Sequence, residues 1–580
     1  MNYWANVINI ILIYSILGIS LNLVLGFAGM VSMAHAVYFG IAAYAVALLS
    51  ASLGVGFVPA ALIAIVLAGL FAAITAFPAL RVRDEYLILL TLALQMIVSG
   101  IMNAWLSVTG GPSGIPGIPP IGIGSLTLFN PMQLLPLLLV MTAAVFFAAH
   151  KITSSSFGRA LKAMRENESA AIAAGKNIVM LKVIIFGVSG IIAGVAGALF
   201  AGAQGFIDPL SFNLDTSIMV IALVALGGAA NLYGTLAGAV LILGLPELLT
   251  FFNVGSADTV SASRGIIFGL LLILFTRFRP QGIIPEKAFT QKYRAPHALQ
   301  RANRVNVNSG TDATAASQSV TARAPATLEA SDLNKRFGGV VTAKDVNLVL
   351  KPGMVTALIG PNGAGKTTIF NLLAGVLRPD SGCIAVRGHD ITAMPAWQRV
   401  SEGIGRSFQD VRIFENISVI DNVLVALPDP YSESLFRLFF QPSRVRRHEQ
   451  HNRNQAMALL EQVGLSDKAR ESAGDLSYGE QKLLAIARLV ATGADILLFD
   501  EPAAGVDAVW AAKMIEIIRA LAQSGKAVCL VEHNLNVVRE LADVVYFMNV
   551  GNIVTQGTPD EIMRNTELAD IYFGQEAITD

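Results

Sequence analysis

The sequence predicts two unlike parts in series: a polytopic α-helical membrane domain, then an α/β domain built on a phosphate-binding loop. Three observations carry this. No Asp, Glu, Lys or Arg occurs before Arg81, and none between Glu85 and Lys151; charge-free runs of that length suit hydrocarbon surroundings. Gly360-Pro361-Asn362-Gly363-Ala364-Gly365-Lys366-Thr367-Thr368 reads G-x-x-x-x-G-K-T, between an apolar run and a helical pattern. Residues 288–326 are poor in large apolar side chains and rich in Ala, Ser, Thr, Asn, Arg and Gln, the composition of a flexible linker. The expected boundaries are 1–287, 288–326 and 327–580.

The totals bound the function. Of 580 residues, 54 % are hydrophobic and 14 % charged, with no net charge, so nothing points to nucleic acid. Cys383 and Cys529 have no metal-ligand spacing around them, and buried or reduced thiols are expected. The first apolar segment lacks a positive n-region and runs into further apolar sequence, unlike a cleavable signal peptide.

In chain order, residues 4–27, 28–50, 57–80, 86–106, 131–150, 183–203, 215–229, 235–252 and 264–277 are apolar enough for membrane helices. A full span takes about 20 residues, so eight to ten crossings are expected. Basic residues cluster at Arg81 and Arg83, from Lys151 to Lys182, and from Arg277 to Arg294. All three clusters should face the cytoplasm, which places the N-terminus and residues 107–130 outside. Gly26 to His35 interrupts a long apolar run and brings Ser32 and His35 to membrane depth. Such breaks form solute sites in transporters, but close packing of small residues produces them equally well. Glu247 is either an intramembrane carboxylate or a helix-end residue. Gly158 to Gly175 looks helical, as a solvated surface helix or as a docking helix that transmits force to the membrane segments.

In the α/β part, the apolar strand Val355–Ile359 leads into the glycine loop, and Ile369–Ala374 reads as a helix closed by Gly375. Backbone N–H groups and the helix dipole then make an anion cradle, with Lys366 reaching the β/γ-phosphates and the Thr367 hydroxyl placed for magnesium. The competing reading is a glycine turn that binds nothing. Phe337 offers a face for a purine, although a lone Phe is more often core. Gln409 is within reach of magnesium and the attacking water. Leu476-Ser477-Tyr478-Gly479-Glu480-Gln481 reads as a turn opening the helix Lys482–Val490, with donors for a phosphate. Ile496–Phe499 ends in Asp500, suited to the magnesium shell, and Glu501, suited to polarising water. Val528–Glu532 ends in His533, which suits contact with the γ-phosphate and with that carboxylate.

This ordered set resembles the ATP-binding subunit of ATP-binding-cassette (ABC) transporters over about residues 327–575. The resemblance implies an α/β P-loop NTPase fold with a helical subdomain, ATP and Mg2+ as cofactors, and ATP hydrolysis. It makes Ser477 to Gln481, after Leu476, the signature that closes on ATP held by the opposite subunit, and Ala504-Gly505-Val506-Asp507 the D-loop. Gly557-Thr558-Pro559 and Ile571-Tyr572-Phe573-Gly574 look like the high-affinity branched-chain amino acid branch. Residues 1–285 are similar to the permease subunit of the same systems, through Gly26–His35, Thr109–Ile115, Arg159–Gly175, Gly227–Gly234 and Arg279–Gly282. The importer coupling loop carries Glu-Ala-Ala-x-x-x-Gly; here that position reads Ser169-Ala170-Ala171-Ile172-Ala173-Ala174-Gly175, with Glu168 one place early. The implied protein is a permease/ATPase half-transporter of a bacterial inner membrane, its ATPase cytoplasmic. It would need membrane lipid, a second permease subunit, a second ATPase subunit and an extracytoplasmic solute-binding protein. Branched-chain amino acids are the expected solute; urea, short amides or aromatic acids are alternatives, and an exporter or a non-transporting membrane-tethered ATPase are rivals of another class.

Overall fold

The computed structural model describes residues 2–79, 84–123, 126–251, 269–270, 273–274, 277–279, 281–286, 327–429, 431–565 and 568. They form two compact bodies: the described residues of 1–166, 177–287 and 431–445 in the first, and those of 167–176, 288–430 and 446–580 in the second. Arg81, Arg83, the linker 288–326, most of the segment 264–277 and Ile571–Gly574 lie outside the described residues.

Among the described residues of the first body, six helices are long and apolar enough to cross a membrane: Asn2–Phe27, His35–Ser52, Phe57–Pro78, Tyr86–Ala104, Pro131–Thr153 and Ile178–Gln204. Leu214–Gly227 and Leu232–Glu247 are shorter apolar helices. Small residues set the packing. Ala60, Ala64, Ala68, Ala72 and Ala76 repeat every fourth residue on one helix face, each 0 % exposed. That face meets the glycines of Ile178–Gln204 so closely that a Cβ at Gly190 would lie 2.4 Å from the Ala72 Cβ. Where lipid offers no hydrophobic drive, such backbone approach is what holds helices together.

The expected interruption is present. The first helix ends in a π turn, Leu23–Phe27, and helix resumes only at His35, seven residues later than the expected 28–50 segment. Gly29 is left-handed (φ 74°), and a Cβ there would meet the Arg165 side chain at 2.5 Å. Arg165 donates to Gly26 O at 2.7 Å and pairs with Glu286 at 2.9 Å. The expected continuous helix 158–175 is instead two, Ser156–Glu166 and Glu168–Ala173. Asn167 ends the first and caps the second, its side chain accepting from Ala170 N. That side chain competes with the helix interior for backbone donors, which is why it restarts the helix. Glu247 lies inside the helix Leu232–Phe251 and accepts from the Tyr3 hydroxyl.

The described residues of the second body form two sheets. One has six strands in the order Ile404–Arg406, Ile496–Asp500, Ala527–Val531, Val355–Ile359, Val544–Asn549 and Asn552–Gly557. All pairings are parallel except the last. Strands covered on both faces read as unbroken apolar runs, and Val355–Ile359, Ile496–Asp500 and Ala527–Val531 are buried throughout. The other sheet is antiparallel, ordered Val340–Leu350, Leu328–Phe337, Ser381–Val386 and His389–Asp390. A shared core containing Leu333, Leu348, Phe370, Ile384, Leu498 and Met548 lies under both. Functional loops leave the carboxyl ends of the parallel strands, where open α/β sheets place their ligands.

Candidate phosphate-handling site

Two glycines fix the loop after Val355–Ile359. Gly360 has φ 152° and Gly365 φ 103°; a Cβ would lie 2.0 Å from Met548 O at the first and 2.2 Å from Thr342 O at the second. Only glycine fits either place. Pro361, Asn362, Gly363 and Ala364 complete the bend, and Gly365 caps the helix Lys366–Leu373. That helix begins three residues before the expected one, so Lys366, Thr367 and Thr368 occupy its first turn and point N–H groups at the loop. The Lys366 ammonium curls over the loop, donating to Gly360 O at 2.7 Å and Pro361 O at 2.9 Å. Burial pulls its pKa below the ordinary lysine value, while Glu501 and Asp500 oppose the shift.

The strand Ile496–Asp500 delivers the carboxylates. Asp500 is 3 % exposed, with Arg406 Nη2 at 3.3 Å from its Oδ2 and its own N–H donated to Ser407 Oγ. Burial raises its pKa above the usual range, and Arg406 recovers part of the shift. Glu501 is left-handed at φ 48°. Its Oε1 lies 3.0 Å from His533 Nε2, and its Oε2 accepts from Gln409 Nε2 at 3.0 Å. Thr367, Gln409 and Asp500 together line one cavity of about 500 Å³, shared with Ser169, Ile172 and Ala173. The structure thus gathers Lys366, Thr367, Gln409, Asp500, Glu501 and His533.

A hydroxyl, a carboxamide and a carboxylate are the hard oxygens magnesium prefers when phosphate and water complete its shell. No group of three or more His, Cys, Asp or Glu able to hold a metal occurs among the described residues. Thr367, Gln409 and Asp500 supply such oxygen donors, and the set fits magnesium that arrives with phosphate.

The other candidates lie elsewhere on this chain and do not line that cavity. Phe337 ends its strand 47 % exposed, with Lys335 Nζ 5.6 Å from its ring centre; it is not a core residue. The helix after Leu476 starts at Tyr478, four residues before the expected Lys482, because Ser477 and Glu480 form a capping box. The Ser477 hydroxyl donates to Glu480 Oε2 at 3.0 Å, and Gln481 donates to Leu476 O. Gly479 faces the Trp510 ring so closely that a Cβ would lie 2.7 Å away. Asp507 caps the helix Ala508–Gln523, accepting from Val509 N and Trp510 N. In the first body, Ser32 and His35 are each 1 % exposed, and His35 Nε2 lies 2.8 Å from Ser189 Oγ.

Sequence reasoning missed three residues that hold this site. Arg406 pairs with Asp500. Lys482 Nζ donates to the carbonyls of Glu501, Pro502 and Ala504 at 3.0, 3.1 and 2.6 Å, clamping the loop behind the second carboxylate. Glu532, 2 % exposed, accepts from Ala503 N at 3.0 Å. The only local signal was charge inside apolar patterns, since their partners are distant in sequence.

Comparison with known proteins gives the family. Residues 3–276 match the family model of the branched-chain amino acid transport system permease component, and residues 343–504 that of the ABC transporter. The high-affinity branched-chain amino acid transport ATP-binding protein LivG of Escherichia coli K12 is 36 % identical over 249 residues, 43 % of this chain and 98 % of that protein. BraF of Pseudomonas aeruginosa, described in the same words, matches with the same identity and coverage. A solved nucleotide-free ATP-binding cassette of an ABC transporter is 29 % identical, covering 43 % of this chain and 100 % of its own, with a TM-score of 0.38. Permease helices and a hydrolytic cassette are thus joined in one polypeptide that couples ATP hydrolysis to transport, and the chain belongs to the branched-chain amino acid family of ABC transporters.

Proposed function

We propose that the chain is one half of an ATP-driven importer for a small polar solute, branched-chain amino acids in the first place. Residues 1–287 form its permease domain and 327–580 its ABC domain, with 288–326 as a cytoplasmic linker. The observation that carries the reading is the convergence of Thr367, Gln409 and Asp500 on one cavity beside the Gln409–Glu501–His533 chain of contacts. Bound Mg2+ would neutralise phosphate charge as the γ-phosphoryl leaves, and those three residues would hold it. Lys366 lets go of the loop carbonyls and donates to the β/γ-phosphates. Glu501 orients and polarises the attacking water, with His533 and Gln409 fixing its carboxylate. Phe337 stacks on the purine. Leu476 to Gln481 and Asp507 serve ATP held by a second cassette, which accounts for their distance from this chain's own cavity.

One chain carries one set of parts, so a second permease and a second ATPase subunit complete the machine, most simply as separate relatives. It works in a bacterial inner membrane among lipids, its ABC domain cytoplasmic, and an extracytoplasmic binding protein delivers solute. Glu168–Ala173 passes the cassette's motion to the permease, and the unwound stretch around Ser32 and His35 is where the membrane helices yield to solute. Proteoliposome uptake tests this. Leucine should accumulate only with the binding protein outside and ATP inside, and Lys366→Ala should abolish accumulation. ATP-dependent efflux, or hydrolysis without any solute movement, would refute the importer.

A further inference from the structure

Between the helices Val419–Ala426 and Tyr478–Ala491, the chain makes an excursion whose chemistry belongs to neither nucleotide nor core. Tyr431–Val445 groups with the membrane helices rather than with the α/β body. Its short helix Leu435–Phe440 reads Leu-Phe-Arg-Leu-Phe-Phe. Leu438 is buried, whereas Phe436 and Phe440 are 67 % and 72 % exposed and lie against each other, tilted, with ring centres 4.6 Å apart. Lys151, in the last turn of the membrane helix Pro131–Thr153, holds its ammonium 4.9 Å from the centre of the Phe439 ring. Arg437 covers Tyr431 at 4.3 Å, and the next helix, Pro442–Val463, opens with exposed Arg444, Arg446 and Arg447. Four arginines face Glu433 alone over 431–447.

Large bare aromatics beside concentrated cations, level with the end of a spanning helix, match the polar boundary of an anionic bilayer. Rings insert at the headgroup–acyl junction, and arginines reach phosphates. Water leaves the rings uncovered, and a plain apolar partner leaves the arginines unmatched; an anionic leaflet satisfies both. We propose that Leu435–Arg447 is a membrane-interface anchor that binds anionic phospholipid, with Phe436 and Phe440 inserted and Arg444, Arg446 and Arg447 on lipid phosphates. The proposal needs Pro131–Thr153 to span the bilayer, and it is independent of the solute carried.

The test uses the full chain, with the subunits that co-purify, carrying Phe440→Trp in nanodiscs of phosphatidylcholine with or without phosphatidylglycerol. Emission added by the new Trp should be quenched by bromines near the top of the acyl chains and spared by aqueous iodide. Quenching should deepen with phosphatidylglycerol. Arg444→Gln, Arg446→Gln and Arg447→Gln together should remove that deepening, since each juxtamembrane cation contributes about fivefold in attraction to an anionic surface. Retained ATP hydrolysis shows that each variant is folded; if the Trp variant fails this check, Phe436→Trp takes its place. Quenching by iodide alone overturns the anchor. Shielding from both quenchers overturns it as well, because a protein subunit then covers the rings.

Discussion

The spanning helices of the first body and the site of the second bury polar groups in different ways. Within the spanning helices, buried side chains such as Asn22, Gln95 and Ser189 meet neutral partners, and the ion pair of Lys162 with Glu286 at 2.7 Å lies outside them. Asn22 donates to Thr235 Oγ1 at 2.7 Å and accepts from Ala230 N at 2.9 Å. Gln95 donates to Phe212 O at 2.8 Å, and Ser20, Ser189 and His35 form one chain of contacts. In the α/β body several of the buried side chains are charged, held by backbone carbonyls or by an opposite charge. Arg399, 1 % exposed, donates to the carbonyls of Leu372, Leu373, Thr392 and Met394, while Arg406 meets Asp500 and Lys482 clamps Glu501 to Ala504. Hydrocarbon penalises charge so heavily that neutral pairs are all a membrane interior readily keeps. A phosphate-handling site needs charge at fixed positions and tolerates its desolvation cost.

The largest expected effect lies in the ionic body. Glu501→Gln should leave nucleotide binding intact and lower phosphate release by about 10²–10⁴; unchanged release would remove the water-polarising role and with it half of the contrast. Arg406→Ala leaves the Asp500 carboxylate buried without its ion partner, and chemical denaturation should register a loss of ~3–5 kcal/mol. Ser189→Ala takes a neutral contact from His35 in the membrane body. Steric-trap unfolding in bilayers should find about 0.6 kcal/mol, and no more than about 1.7 kcal/mol. A Ser189 cost equal to that of Arg406 would erase the distinction.

The smallest effect is a pH slope. Burial raises the Glu532 pKa above the ordinary carboxylate range, against the backbone donors of Ala503, Asn534 and His533. The folded state therefore binds that proton more tightly than the unfolded chain does. Its stabilisation is complete below the unfolded pKa and disappears as pH rises through the folded one. Glu532→Gln imitates the protonated form and keeps an acceptor for Ala503 N. Melting curves of the variant should gain most at neutral pH and converge on the parent as pH falls toward the ordinary carboxylate range.

Much of this was legible because it is local. The glycine loop, the strand ending in Asp500 and Glu501, and the apolar runs each declare themselves within about ten residues. The break before His35 was also visible, although Ser32 and His35 prove buried, His35 against Ser189 of the helix Ile178–Gln204 and Ser32 accepting from Ala34 N. What stayed hidden depends on partners far along the chain. Lys482 reaches carbonyls at 501–504, Arg406 reaches Asp500, and Arg165 reaches Gly26. Asn167 reads as an ordinary polar residue in a helical pattern until its side chain caps the next helix. The early start at Tyr478 was local, and a Ser followed three residues later by Glu was its signal.

In the role proposed for it Glu501 carries a charge, and its backbone holds a left-handed shape that residues other than glycine adopt reluctantly, at about 1–2 kcal/mol. Gln at that position inherits the contorted peptide, whereas Gly loses the carboxylate and relaxes the chain. Two equally inactive proteins should thus melt at different temperatures, Glu501→Gly above Glu501→Gln. The carboxylate proposed to polarise water is held by a left-handed main chain.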